Sequence, residues 1–329
     1  MNIIVQKYGG TSVATKENLE KICQNIMNYK EKGNKLVIVV SAQGKTTDHL
    51  ITKAKEYSAS PNKRDLDLLL TTGEIQTAAL LSMMLNEKGY KSVSLTGYQA
   101  GILSDSTYGN ANIKTIYTEN ILNYLNNDTI VIVAGFQAID KLGNITTLGR
   151  GGSDLSAVAI ASALKANKCE IYSDIDGIYS ADPRIIKKAK LLKKISYNEM
   201  LEAASAGAKV LHNRSVQVGK KYNMPIYVKN ALKEGKGSLV TNEEENIETN
   251  DIQFITKKED IAKICLVGDM IMSNKQAISK IFELAGKENI TIYMISFSEL
   301  SLNIIVDKEI AEHFMEILHR HLIEKRPID

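Results

Sequence analysis

Short β-branched runs alternate with longer segments of 3.6-residue periodicity through roughly the first 230 residues, which predicts an α/β domain around a mainly parallel sheet. The runs Ile3–Gln6, Leu36–Ser41, Ser92–Leu95, Thr129–Ala134, Cys169–Tyr172 and Ile226–Val228 read as strands. Between them, Leu19, Ile22, Cys23, Ile26 and Met27 form one apolar helical stripe that stops at Gly33, a residue suited to the left-handed position after a helix. Further helices are predicted from Glu74 to Gly89 and from Ser153 to Asn167. The periodicity lapses after Ala231, where Lys233-Glu234-Gly235-Lys236-Gly237 and Asn242-Glu243-Glu244-Glu245-Asn246 read as a solvated linker. The pattern then restarts as strand Ile261–Val267, a helix over Ser273–Glu288, strands Ile290–Ser296 and Leu300–Val306, and a helix over Lys308–Glu324. That β-α-β-β-α order predicts a small sheet covered on one face. Ser273 and Gln276 are expected to form a capping box, and Ile252–Thr256 to supply a fourth strand. The resulting division is a domain over 1–232, a linker over 233–250 and a second domain over 251–329.

A chain of 329 residues has the length for about two domains. Lys and Arg number 41 against 38 Asp and Glu, and a net charge of +3 is too small a field to predict binding to nucleic acid or an anionic membrane. Cys23, Cys169 and Cys265 lie far apart, forming neither a metal pair nor a disulfide framework, and predict free thiols in a reducing compartment. The first residues lack the basic and apolar regions of an export signal. No apolar run reaches the ~18–20 residues of a membrane span, so a cytoplasmic location is expected.

Three loops concentrate the groups that carry chemistry. In Lys7-Tyr8-Gly9-Gly10-Thr11-Ser12, adjacent glycines let backbone N–H groups converge on an anion, and Lys7 adds a compact positive charge. The lysine precedes the glycines, so this is not a Walker A loop. In Leu148-Gly149-Arg150-Gly151-Gly152-Ser153-Asp154, glycines permit close approach of a ligand and Arg150 offers a planar fork matched to a carboxylate. Ser153 and Asp154 there can cap a helix or meet an ammonium group. The third loop, Tyr172 to Arg184, follows a strand and carries acids, tyrosines and an arginine suited to a nucleotide. Its D-x-D-G spacing lacks the glutamate that closes a calcium loop.

These loops, together with Gly44-Lys45-Thr46-Thr47-Asp48, Thr72-Gly73-Glu74, Ser94 to Gly101 and Gly207-Ala208-Lys209-Val210-Leu211-His212, stand in the order found in aspartokinases of the amino-acid kinase superfamily. The chain resembles that family throughout its first domain, and its tail resembles an ACT domain, the second of the two that most aspartokinases carry. The resemblance implies the amino-acid kinase fold, a mainly parallel sheet sandwiched by helices, plus a small α+β ACT-like domain. It implies transfer of the ATP γ-phosphoryl group to the β-carboxylate of L-aspartate, giving 4-phospho-L-aspartate for lysine, threonine and methionine synthesis. Another small-molecule kinase of the superfamily and a non-catalytic amino-acid sensor are the alternatives. The chemistry is self-consistent, because a carboxylate with a reference pKa of ~3.9 is already a nucleophile at neutral pH and requires no general base.

By the same resemblance, Lys7, Asp154 and Lys209 carry catalysis. Lys7, Gly9, Gly10, Thr11, Ser41, Ser173, Asp174, Tyr179, Arg184, Lys209 and Val210 bind the nucleotide. Thr46, Thr47, Glu74, Arg150, Ser153 and Asp154 form the aspartate pocket, with the arginine on a carboxylate and the acids on the α-ammonium. Mg2+ is expected on the phosphate oxygens, with no metal site built by the protein. The chain has room for one ACT module, and its turn Met272-Ser273-Asn274-Lys275-Gln276 lacks the Pro-Gly that often lies beside an effector. The module is therefore expected to form a homodimer or higher homo-oligomer, with weak or no inhibition by lysine or threonine.

Overall fold

The computed structural model describes residues 2–208, 210–233, 235–242, 252, 255–268, 274–298 and 300–324. The chain divides into two compact units, Met1–Thr256 and Lys257–Asp329.

The first unit is built on an eight-stranded sheet. Its order is Lys194–Ser196, Ser238–Thr241, Ile226–Asn230, Lys168–Ser173, Ile3–Tyr8, Lys35–Val40, Ile130–Ala134 and Ser92–Leu95. The six strands from Ile226–Asn230 onward are parallel, and the first two run the opposite way. Both faces are covered, so Lys35–Val40 and Ile130–Ala134 are apolar at nearly every position rather than alternating. Ile3 and Val5 join one core with Val37, Val39 and the helix Gly152–Ala163. Ile4 and Tyr8 join the other with Leu36, Ile38 and the helix Lys16–Glu31. The period of two therefore turns Lys7 toward the Gly152–Ala163 helix and Gln6 toward Lys16–Glu31.

The six predicted strands all form in the central sheet. The predicted start of the second helix at Glu74 is corrected: the helix runs over Lys63–Glu87, with the Asn62 side chain accepting from the Arg64 N–H. Gly73 does not break it, because a Cβ there would stand 2.8 Å from Ala42 Cβ and glycine is what permits that approach. This helix is long and apolar enough to span a membrane by length and composition, contrary to the reading that no segment is, yet Asp67, Thr71, Glu74, Thr77 and Ser82 are all buried in the unit. The third helix ends at Ala163 rather than Asn167, where Lys165 takes a left-handed conformation at φ 50° and turns the chain. Part of the expected linker is also corrected, since Ser238–Thr241 is a strand of the central sheet whose Val240 is buried. A four-stranded sheet of Ile113–Ile116, Ile102–Ser104, Gln137–Ile139 and Ile145–Thr147 adds to the unit, and no periodicity announced it.

The second unit has a three-stranded antiparallel sheet, with Ser301–Asp307 between Ile261–Val267 and Met294–Phe297. Its apolar core joins Ile264, Leu302, Ile304 and Val306 to Ile281 and Leu284 of helix Lys275–Lys287 and to Phe314 and Ile317 of helix Ala311–His319. Asn274 caps the first of these helices by accepting from the Ala277 N–H, in place of the expected Ser273, which lies outside the described residues with Met272. Among the described residues of 252–256 there is no strand.

Candidate functional site

Several of the expected site residues lie at the carboxyl ends of the central strands. Lys7, the penultimate residue of Ile3–Tyr8, is buried, and its Nζ lies 2.7 Å from Asp154 Oδ1 in the first turn of helix Gly152–Ala163. Past the strand, Gly9 donates to the Tyr172 carbonyl at 3.1 Å, while Ser12 and Val13 both donate back to the Gly9 carbonyl. That tight turn leaves the Gly10 and Thr11 N–H groups without an acceptor among the described residues, the property an anion cradle requires. A Cβ on Gly10 would approach the Ala42 carbonyl to 2.8 Å, so only glycine lets the two loops close on each other. Gly44 N–H completes the closure by donating to the Gly10 carbonyl at 2.9 Å.

Ser41 ends the neighbouring strand's path and donates through its N–H to the Tyr8 carbonyl. Glu74 is buried below it: Oε1 accepts from the Ala42 N–H at 3.0 Å, and Oε2 has no partner among the described residues. Burial pushes its carboxyl up to about 7, partly opposed by the Ala42 hydrogen bond. Thr46 opens helix Thr46–Tyr57, and its hydroxyl donates to the Gln43 carbonyl at 2.6 Å, so in this structure it serves the turn; Thr47 follows it, half-buried. Ser153 packs against Gly135, where a Cβ would meet its Oγ at 3.0 Å. Arg150 is exposed, on a loop held in left-handed backbone by Gly149 (φ 77°) and Gly151 (φ 70°).

The nucleotide segment is less gathered. Ser173 ends strand Lys168–Ser173, and its hydroxyl accepts from the Ile175 N–H. Asp174 is exposed beside it. Tyr179 stands in the short strand Ile178–Tyr179, its phenol raised by burial and by Asp176. Arg184 makes an ion pair with Asp182 at 2.7 Å and is 83% exposed, so it turns to its own loop rather than to the cradle. Val210 is half-buried, and Lys209 lies outside the described residues.

Several neighbours carry no local sequence signal. Asp67 is 1% exposed and accepts from the N–H groups of Gly109 and Thr147 and from the Thr147 hydroxyl. Arg214 donates to the carbonyls of Leu148 and Ala111 and to Asn110 Oδ1. His212 caps helix Asn213–Tyr222 and packs on Gly151, where a Cβ would come within 2.4 Å of its own. Asp67 was hidden because the helix start was placed beyond it; nothing in the chain around Arg214 foretells contacts a hundred residues away.

Comparison with known proteins bears on this geometry. The model of the amino acid kinase family matches residues 2–230, and that of an ACT domain matches residues 264–322. The chain is 38% identical to an aspartokinase of Geobacillus stearothermophilus over 393 residues, spanning 97% of each chain. Since 393 aligned positions exceed the 329 residues here, the relative holds residues within the alignment that this chain lacks. Aspartokinase 2 of Bacillus subtilis is 46% identical over 296 residues, 90% of this chain and 72% of that one. The structure of E. coli aspartokinase III in complex with aspartate and ADP superposes with a TM-score of 0.75 at 24% identity, over 93% of this chain and 79% of that one; it shows the same fold.

Proposed function

The chain belongs to the amino acid kinase family and, within it, to the aspartokinases; on that premise we propose that it transfers the γ-phosphoryl group of ATP to the β-carboxylate of L-aspartate. The observation that carries the reading is the pair of buried Lys7 with Asp154 beside a turn whose Gly10 and Thr11 N–H groups have no acceptor among the described residues.

The obstacle is electrostatic, since a carboxylate must approach a triphosphate and both are anionic. The ionised β-carboxylate attacks the γ-phosphorus, the bond from that phosphorus to the bridging oxygen breaks, and ADP leaves with the electron pair. Lys7 neutralises charge that builds on the transferring group, Asp154 holds the lysine in place, and the cradle N–H groups of Gly10 and Thr11 take phosphate oxygens. Arg150 is suited to a substrate carboxylate, and the unpartnered Glu74 oxygen to the substrate ammonium. Ser173, Asp174, Tyr179 and Val210 face the nucleotide in this reading. Arg184 would have to exchange Asp182 for phosphate. Among the described residues no group of three or more His, Cys, Asp or Glu side chains is gathered together. The ion would come on the phosphates and supply charge neutralisation there. The ACT-like unit would pair two copies of the chain.

The test is an ATP-dependent aspartyl-hydroxamate assay. Wild-type protein is expected to give product with L-aspartate and none with glutamate, acetylglutamate or UMP. Lys7→Ala should lower kcat by about 10^2–10^3-fold in a chain that is less stable, because Asp154 loses its partner, but still folded by circular dichroism at the assay temperature. A folded wild-type protein that produces no acyl phosphate would overturn the reading and favour the sensor.

A further inference from the structure

The loop that presents Arg150 is short, glycine-rich and exposed, yet it must hold a guanidinium in one place. Gly149 and Gly151, both in left-handed backbone, give the loop its shape but no rigidity of their own. Rigidity has to come from outside, and two charged groups, Asp67 buried and Arg214 half-buried, meet the chain next to it. On one side Asp67, two turns before Glu74 on the helix Lys63–Glu87, accepts from the Gly109 N–H at 2.9 Å, the Thr147 N–H at 2.8 Å and the Thr147 hydroxyl at 2.9 Å. On the other side Arg214 uses both terminal nitrogens, donating to the Asn110 side chain, the Leu148 carbonyl and the Ala111 carbonyl. Asn110 in turn lies against Gly149, where a Cβ would stand 2.7 Å from its Oδ1. Neither anchor makes an ion pair among the described residues; Asp67 spends its charge on the Gly109 and Thr147 N–H groups and the Thr147 hydroxyl, and Arg214 on the Leu148 and Ala111 carbonyls and the side chains of Asn110 and Asn112.

We propose that Asp67 and Arg214 are positioning residues which clamp segments 109–111 and 147–148 together and so hold Arg150 where it receives the acceptor's carboxylate. This deepens the aspartate kinase reading and rests on it for the identity of the acceptor. Because Asp67 sits on the helix that also carries Glu74, the groups for the two ends of the amino acid share one rigid support.

The experiment pairs Asp67→Asn with Arg214→Lys in the full chain. Asparagine keeps the volume but can no longer accept three donors, and lysine keeps the charge but lacks the fork that spans Leu148 and Ala111. In each variant KM for L-aspartate should rise about tenfold while KM for ATP stays within about twofold. Hydrogen exchange should quicken in peptides covering 107–112 and 145–151 and nowhere else in the first unit. A purely structural role would lower the active fraction and leave both KM values alone. Unchanged KM for aspartate, or unchanged exchange in those peptides, overturns the proposal. If wild-type protein consumes no ATP with aspartate, the acceptor assignment fails, and the clamp then stands or falls on the exchange result alone.

Discussion

At the scale of single residues, burial decides what the carboxylates do. Glu74 and Asp154 are both acids beside the same strand ends, but Asp154 is neutralised by Lys7 at 2.7 Å while Glu74 is left with one unpartnered oxygen. Burial raises the Glu74 carboxyl to about 7, above its ordinary range, so folding stability falls as pH rises from the unfolded value near ~4.5 through about 7. A substrate ammonium would reverse that penalty by favouring the charged form. Aspartate binding is therefore expected to release a proton near pH 6.5 and to tighten as pH rises through about 7; calorimetry in buffers of different ionisation enthalpy measures the release, and Glu74→Gln should abolish it. An identical proton count in wild type and variant would dissociate Glu74 from the ammonium. Lys7, Gly10 and Asp154 could be singled out from the chain because a cation and adjacent glycines stand between a strand and a helix, and an acid opens the helix that follows the second glycine loop. The Arg184–Asp182 pair was not, since a neighbour two residues away competes with any ligand for the same guanidinium.

At the scale of elements, the parity of the strand Ile3–Tyr8 sorts the charges onto two faces. Lys7 goes to the helix Gly152–Ala163, and Gln6 joins a second polar cluster around Glu170, which is fully buried. Glu170 takes Lys168 at 2.7 Å and Lys229 at 2.8 Å, with Tyr29, Tyr172 and Gln6 donating to the same carboxylate. Burial pushes its pKa up, but Lys229 and Lys168 outweigh burial and hold it below the usual range. The ionised group thus contributes stability above the unfolded pKa that is lost as pH falls through the lowered one. Tyr8 stacks on Tyr172 at a centroid distance of 4.9 Å above this cluster, which stiffens the strand just where the cradle begins. Glu170→Gln should destabilise the first unit by about 3 kcal/mol at neutral pH and blunt its acid sensitivity, as read by urea titration at pH 7 and pH 4. A change under about 0.5 kcal/mol would mean the two lysines rehydrate without loss. Strands and apolar helices were readable because burial on both faces leaves an uninterrupted run of β-branched residues. The helix Thr46–Tyr57 was not, as none of its residues is buried and its stripe is correspondingly weak.

For the whole molecule, the second unit keeps one face for its helices and leaves large apolar side chains on its strands. Val267 is exposed on one edge strand, and Met294 and Phe297 on the other. Light scattering should give twice the chain mass, and Met294→Glu should shift it toward the monomer while aspartate-dependent turnover persists; a monomeric wild-type protein would count against pairing through this sheet. By itself the chain determined the α/β class, six core strands, the glycine turn after the first strand and the β-α-β-β-α tail. These follow from short-range rules, the periods of strand and helix and the conformational freedom of adjacent glycines, which act within a dozen residues. Only the tertiary structure decided that Lys7 would meet Asp154, that Ser238–Thr241 would join the sheet, and that Asp67 and Arg214 would grip the loop beside Arg150. Those pairings join residues up to a hundred or more positions apart, and a local pattern carries no information about which distant backbone group will be left needing a partner once the core has closed.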